Sequence, residues 1–584
     1  MDSPQRLTAR DRGLLALLCL ALYGFTLLNP RTLNPHETTH CLNVREMMRS
    51  GEWLIPTYGG RPWLERPPLP HWMTYVGVAI RGEDDAERAY RLSSISVATL
   101  AVVVFASCIG GCFGRGPGLL SGALLATMRE WHTYATGPEA DIFLASTVTI
   151  ACSLLMRGLF DPQYRETRTS LLGRRSWPIV SFFLLTGLMN AMKGPFFGLF
   201  FTLLPLGVFF AWQRRGLRPL VWLPGVAVAL ALGLAWPILA WVRYPDIVEL
   251  WAVDYGVRWR QGYLGEPFWY YFVNQPYNLF PWTIPAFVGL ATTWNRIRQP
   301  DEPALRYVWC WAIVPVLFFS LFKGKHHHYM LSCMAPAAVL SAMGLQAIWR
   351  SVPAWPRLIR SPALPLVVLG IPCLIAGVLF WSHIPGPASV RLAWMVGMPL
   401  LGALTWLLLA ERQVGIALGG LTILFAAFHC AFYEYRSVYL ETFAPDVALL
   451  HDAPGQIDGP LFVLAEEEPL SASWPMFYLN GRANLLHNAS YLRDDSLPRD
   501  AVYLIARPRD EKSLAEFGTT TVVAQSEKSR SERSPADRYT LYRLEFHADL
   551  VRVRADVRMT PNQATGRAKG PYLEPSRHVS ATNR

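Results

Sequence analysis

The chain has 584 residues, of which 52% are apolar and only 17% charged, with 22 tryptophans. An ordinary soluble domain is about 25% charged, so long uncharged runs must be present and the chain reads as a membrane protein. The formal net charge of +11 comes mostly from arginines scattered between apolar runs. That distribution suits membrane orientation and argues against nucleic-acid binding, which needs a continuous basic patch and a reading module.

Arg6, Arg10 and Arg12 precede the first apolar run, at 14–28. No small-residue cleavage site follows it, so it reads as a retained span with a cytoplasmic N-terminus. A first outer loop then covers 31–91. Its stretch NPHETTHCLNVREMMRSGEWLIPTYGGRPWLERPPLPHW crowds His36, Glu37, His40, Arg45, Glu46, Glu65 and Arg66 among aromatics and prolines. It is too polar for lipid and too ordered in composition for a linker. Residues 38–49 are expected to form a short helix, and 72–80 an apolar segment in the membrane interface.

Further spans are expected at 92–112, 117–128, 142–156, 179–192, 195–212, 220–241, 281–293, 308–322, 330–349, 364–381, 392–409 and 414–432, about thirteen in all. The arginine-rich turns, of which 157–175 is the richest, then fall on the cytoplasmic side and the C-terminus lies outside. A second outer loop, 243–280, carries the aromatic stretch GYLGEPFWYYFVNQPYN, and a shorter outer turn carries KGKHHHY at 323–329. The membrane domain ends near 435. Beyond it, short strands are expected at 461–465, 477–479, 502–506, 520–524 and 539–544, with a helix near 511–517, as a small extracytoplasmic α/β domain over 440–550. The tail 551–584 shows no apolar period and reads as disordered.

The nine cysteines lie mostly in apolar runs, Cys41 alone reading as a loop residue, so neither a disulfide framework nor a zinc cluster is indicated. Cys108 and Cys112 read as small core residues.

This topology brings His36, Glu37, Glu65, Arg66, Glu139, Asp141, Lys193, Lys323, Lys325, His326, His327 and His328 to one outer face. Carboxylates beside cations just outside the bilayer suit group transfer from a lipid phosphate. One carboxylate can take a proton from the attacking group while the cations hold the leaving phosphate. Blander readings stand beside these: Asp141 as a boundary residue, Lys193 as a snorkelling lysine, Glu37 as a helix N-terminal charge. Three consecutive histidines cannot all point one way. A divalent-metal site at His326 and His327 with His36 and His40 is conceivable, though phosphate binding by Lys325 with one histidine is simpler.

The segments PHETTHCLNVREMMRSGEWLIPTYGGRPWLERPPLPHWMT, ATGPEADIFLASTVTIA, GLMNAMKGPFFG, FWYYFVNQPYNLFPWTIP and FFSLFKGKHHHYMLSCMAP resemble, in order, the signatures of the bacterial 4-amino-4-deoxy-L-arabinose lipid A transferases and their undecaprenyl-phosphate sugar relatives. These are distant cousins of the dolichyl-phosphate-mannose protein mannosyltransferases. The resemblance covers about residues 15 to 350 and implies the C-type glycosyltransferase membrane fold. It also implies an inner-membrane enzyme with its active site on the periplasmic side, which moves a sugar from a polyprenyl phosphate donor to lipid A, another glycolipid, a polysaccharide or a protein, by direct inversion. No cofactor is implied with certainty.

Carried over residue by residue, the family's first-loop Asp-Glu pair falls on His36 and Glu37. Its Glu-Lys-Pro-Pro motif falls on Glu65, Arg66, Pro67 and Pro68, its second aspartate on Asp141, its Lys-Gly-Pro turn on Lys193, Gly194 and Pro195, and its later lysine on Lys325. The resemblance thus implies a base among His36, Glu37 and Asp141, and contacts to the lipid phosphate or sugar from Glu65, Arg66, Lys193, Lys325, His328, Tyr329 and Tyr271. His36 departs from the usual aspartate, and its ordinary pKa of about 6.5 still suits a base. Two other classes remain as alternatives: a lipid or solute transporter, which predicts repeated halves and polar groups at mid-bilayer, and an inactive homologue acting as an envelope-assembly scaffold.

Overall fold

The computed structural model describes residues 6–28, 32–64, 66–82, 86–165, 176–194, 197–213, 219–249, 251–252, 265–351, 361, 363–379, 388–410, 420, 444–464, 472–486, 488–493, 501–527 and 538–547. It divides into two compact units, Met1–Arg243 with Val257–Ala444, and Tyr244–Gly256 with Pro445–Arg584. The first is a polytopic helical membrane unit and the second contains an α/β sheet. The 551–584 tail, residues 253–264 of the second outer loop and all of the expected last span at 414–432 except residue 420 lie outside the described residues.

Among the described residues, six helices are long and apolar enough to cross a membrane: Ala9–Leu28, Glu87–Phe113, Ala140–Phe160, Leu223–Arg243, Pro303–Ser320 and His327–Ser351. Shorter apolar helices include α5 (Arg115–Thr127), Trp177–Leu188, Phe197–Gln213 and Thr283–Thr293, each over an expected span. The first unit opens with α1 (Ala9–Leu28) and α2 (Pro35–Ser50), then the hairpin β1 (Thr57–Tyr58) and β2 (Arg61–Pro62), α3 (Leu69–Arg81), α4 (Ala86–Phe113), α5, α6 (Arg129–Ala135) and α7 (Ala140–Phe160).

The polar stretch of the first outer loop is a folded element. Helix α2 starts three residues before the expected 38, because Asn34 caps it and Pro35 supplies a pre-set first turn. Cys41, read as a residue of the outer loop, is buried on this helix. The hairpin turns at Gly59 and Gly60, both with positive φ of 58° and 74°, and the Glu46 carboxylate accepts from both amides at 2.7 and 3.1 Å. In α3 the buried side carries His71, Thr74 and Val78. Trp72, Val76 and Ile80, four apart, form an exposed apolar stripe, which fits the interfacial reading. Gly77 meets α4 so closely that a Cβ would strike the Ala89 carbonyl, and its amide donates to Ser93 Oγ at 2.9 Å.

Ion pairs tie together turns that the arginine pattern assigns to one side. Arg115 grips the buried Asp11 through two bonds of 2.7 and 2.8 Å. Arg6 reaches Asp161 at 2.6 Å, with Arg157 at 3.7 Å from the same carboxylate. At the other end of these helices, Asn34 Nδ2 donates to Glu139 at 3.3 Å, and Lys193 meets Asp141. The turns thus sort into two ends, as helices that cross and return require.

The second unit holds a five-stranded mixed sheet of order β4-β3-β5-β7-β6, from β3 (Leu461–Leu464), β4 (Asn484–Leu486), β5 (Ala501–Ala506), β6 (Gly518–Gln525) and β7 (Thr540–Phe546). Pairs β4–β3 and β3–β5 are parallel, and β5–β7 and β6–β7 antiparallel. One expectation fails here. Residues 477–479 end a helix, Ser473–Tyr478, and Asn484–Leu486 takes the strand position. Parallel strands need a crossover, so the aromatic run SWPMFY buries as that crossover helix. The helix expected over 511–517 is shorter, Glu511–Leu514.

Candidate active site

The site is built where α2, α6 and α7 meet the turn before Met334. At the start of α2, Asn34 Oδ1 accepts from the Glu37 amide and the Glu37 carboxylate accepts from the Asn34 amide, both at 2.8 Å. This reciprocal cap buries Glu37 completely, with the Arg91 guanidinium 3.8 Å away and itself fully buried. The other carboxylate oxygen lies where a side chain at Gly137 would have to stand. Glu37 thus holds α2 in place, while His36 beside it is exposed.

Asp141, in the first turn of α7, forms an ion pair with Lys193, whose short helix Asn190–Lys193 ends at Gly194 with φ 99°. Only 4% of the Lys193 side chain is exposed, so it does not snorkel to water. Its ammonium stands 4.7 Å from the Tyr329 ring and 5.2 Å from Phe197, a cation held over aromatic faces. His328 Nε2 lies 3.8 Å from the same Asp141 oxygen, and the Arg66 charge reaches Asp141 from the first loop. Asp141, Lys193, His328, Tyr329 and Arg66 therefore converge from four separate stretches. Glu65 lies outside the described residues.

The histidine run divides as three adjacent side chains must. His326 and His328 stack at 5.2 Å with 15° between planes. His327 turns the other way, its Nδ1 2.6 Å from the Glu130 carboxylate. Among the described residues, no group of three or more His, Cys, Asp or Glu side chains is arranged to hold a metal ion. Lys325 is buried, and its ammonium donates to the carbonyls of Phe322 and, at 2.9 Å, Glu266. Burial lowers its pKa, opposed by the Glu266 charge. These two bonds fasten the turn to the segment that carries Glu266; neither reaches Asp141. Tyr271 is buried beside Tyr270 at 5.3 Å. Burial raises its phenol well above the ordinary tyrosine value, with Tyr329 and Tyr270 adding to the shift.

Behind Arg66, His40 and His71 stack at 4.5 Å, with His40 Nε2 2.8 Å from Thr74 Oγ1 and Asn43 Nδ2 3.4 Å from His71 Nε2. Burial pulls His40 well below its ordinary value and His71 down to about 4, and the Arg66 charge adds to both. Both rings are thus neutral when folded, while unfolded imidazoles titrate near 6.5. The unfolded chain takes up protons that the folded chain refuses, so stability falls as pH drops from about 6.5 towards 4. For His71 alone the loss approaches about 3 kcal/mol. Thermal unfolding in detergent between pH 8 and pH 5 should show this slope, reduced in His71→Phe; an identical slope in the variant would refute the assignment.

Reading along the chain missed Arg91, Glu130, Tyr134 and the His40–His71 stack. Only the scarcity of charges in apolar surroundings could have marked Arg91 and Glu130.

Asp141 and Lys193 thus pair at one end of a helical membrane unit that is similar to known proteins. Residues 65–241 match the family described as dolichyl-phosphate-mannose-protein mannosyltransferase. The undecaprenyl phosphate-α-4-amino-4-deoxy-L-arabinose arabinosyl transferase of Erwinia tasmaniensis is 29% identical over 70% of this chain and 75% of its own length. That of Shewanella sediminis is 28% identical over 53% of this chain. The chain is a homologue of these arabinosyl transferases. It spans 55% of the Shewanella relative's length. The crystal structure of ArnT from Cupriavidus metallidurans superposes with a TM-score of 0.65 at 19% identity, covering 91% of this chain and 96% of that one. Its form bound to undecaprenyl phosphate gives 0.65 at 18% identity, covering 93% and 98%. The fold is therefore that of the homologous transferases, a polytopic helical membrane unit with a C-terminal α/β domain.

Proposed function

We propose that the chain is a glycosyltransferase of the bacterial inner membrane. It moves a sugar from a polyprenyl, specifically undecaprenyl, phosphate to an envelope acceptor such as lipid A, another glycolipid or a protein, on the periplasmic side. Thirteen spans, a membrane domain over 1–435 and an outer domain over 440–550 belong to this reading. The arginine-rich turns support its orientation.

The observation that carries it is the Asp141–Lys193 pair with His328 at 3.8 Å and Tyr329 beneath the ammonium. A buried charge pair is expensive and pays when its partners can be exchanged for a substrate. In the reaction the donor phosphate takes Lys193 and Arg66 as its cations, offsetting charge on the leaving oxygen, while His328, a ring that burial keeps neutral, donates a hydrogen bond to it. Asp141, sharing the charge of an ammonium, suits holding sugar or acceptor hydroxyls better than taking their protons. Tyr329 and Tyr271 wall the site. Glu37 and Lys325 position the loops that frame it, and Glu65 flanks Arg66.

The test is transfer of radiolabelled sugar in proteoliposomes. A panel of undecaprenyl phosphate sugars is offered with lipid A, total lipid and envelope protein. Label appearing in one acceptor fraction supports the reading. Folded, correctly inserted protein that turns over no pair of the panel removes it.

A further inference from the structure

We infer that His327 is the general base for the acceptor hydroxyl and that Glu130 is the buried residue that positions it. This rests on the transferase reading above. Glu130 is wholly buried on α6, and its carboxylate faces His327 Nδ1 at 2.6 Å across 197 residues of sequence. The ring N–H at Nδ1 donates to that carboxylate, which leaves the lone pair of neutral imidazole on Nε2. The His327 side chain is 46% exposed. With Nδ1 engaged by a buried carboxylate and the side chain nearly half exposed, Nε2 is the ring nitrogen assigned to the acceptor hydroxyl.

The second Glu130 oxygen accepts from Arg129 Nη1 at 2.8 Å, and Arg129 is itself held 3.7 Å over the Tyr277 ring. The carboxylate is thus fixed from two sides. Sealing a carboxylate inside a protein is costly, and here it orients one ring whose side chain is otherwise nearly half exposed. Of the other candidate bases, Glu37 is engaged by its helix cap and by Arg91, and Asp141 by Lys193, while His36 is exposed and has no buried carboxylate shown to orient it among the described residues. The base also stands next to the proposed leaving-group cluster. His328, the following residue, lies 3.8 Å from Asp141, and Tyr134 contacts both His327 and His328 at 6.4 and 5.8 Å.

In the step, the acceptor oxygen forms a bond to the anomeric carbon as its proton passes to His327 Nε2. The bond from that carbon to the phosphate oxygen breaks, and its electron pair leaves with the polyprenyl phosphate. The imidazolium formed sits against the Glu130 carboxylate and returns its proton to water.

The ionisable groups around His327 are Glu130 and Arg129 on α6, Glu139 before α7, Tyr134, His326 and His328. Tyr270 lies near its backbone, and Asp141 and Lys193 stand beyond His328. The test measures kcat/KM against pH in proteoliposomes with undecaprenyl phosphate-4-amino-4-deoxy-L-arabinose and lipid A, or whichever pair of the panel is turned over. His327→Asn, a change at a half-exposed position, lowers kcat at neutral pH by about 100-fold or more with little change in donor KM. Glu130→Gln lowers it by about tenfold. It also moves the acid limb to lower pH, because the carboxylate favouring imidazolium is gone.

Undiminished kcat in folded His327→Asn overturns the inference, as does an acid limb that shifts with His36→Ala and stays in place with Glu130→Gln. In either case wild-type transfer leaves the transferase reading intact. Absence of transfer by folded wild type across the whole panel removes both.

Discussion

Asp141→Asn and Lys193→Met each lower kcat/KM for sugar transfer by at least about 100-fold, or about 3 kcal/mol of transition-state stabilisation. The reasoning starts from the ion pair itself. Lys193 has only 4% of its side chain exposed and Asp141 16%, so the lysine has few other places to put its charge. Removing Lys193 takes away a cation from the leaving phosphate, and removing the Asp141 charge frees Lys193 to turn from the site. Because the two act as a unit, the double variant should cost about as much as either single one. The assay is initial-rate transfer in proteoliposomes, with size-exclusion profiles confirming folded protein. Free additivity of the two losses would separate the residues and break the proposed site apart.

Breaking the Glu37–Arg91 pair should act on folding first. Both groups are wholly buried, 3.8 Å apart. Arg91→Met leaves the Glu37 carboxylate in the interior without its partner charge, at a cost of about 3–5 kcal/mol. Glu37→Gln removes the carboxylate from the Asn34 amide as well, and should loosen the start of α2. The double variant Glu37→Gln, Arg91→Met removes both charges and should recover part of the loss. The measurement is the lifetime of folded protein in detergent at a fixed temperature. If Arg91→Met matches wild type in lifetime, the pair contributes nothing, and Glu37 returns as a candidate for chemistry.

These two expectations divide residues that look alike in the sequence. Glu37 and Asp141 are each an acidic residue beside polar neighbours at the edge of an apolar run. The first closes a helix cap and the second faces a lysine from another hairpin. Lys193 and Lys325 are likewise both lysines next to glycine in outer turns. One reaches a carboxylate and aromatic rings, the other two main-chain carbonyls.

The helices over the expected spans as far as 392–409, the exposed apolar stripe Trp72, Val76 and Ile80, the strands Leu461–Leu464 and Ala501–Ala506, and the polar character of the first loop were legible along the chain. Each follows from local composition or from a period of two or 3.6 residues, which neighbours in sequence suffice to define. The aromatic run Ser473–Tyr478 was misread as including a strand, because a short apolar run carries no period and its parallel neighbours decided its form. Pairings are of another kind. Asp141 with Lys193 spans 52 residues, Arg115 with Asp11 spans 104, Asn34 with Glu139 spans 105 and Glu130 with His327 spans 197. No local rule connects such positions, since burial, and with it the need for a partner, arises only when the helices pack. Composition and periodicity therefore determined that the chain is a helical membrane protein whose polar residues gather in the turns between its apolar runs. The tertiary structure alone decided which of its charged residues pair with one another, because partners so far apart in sequence meet only when the helices pack.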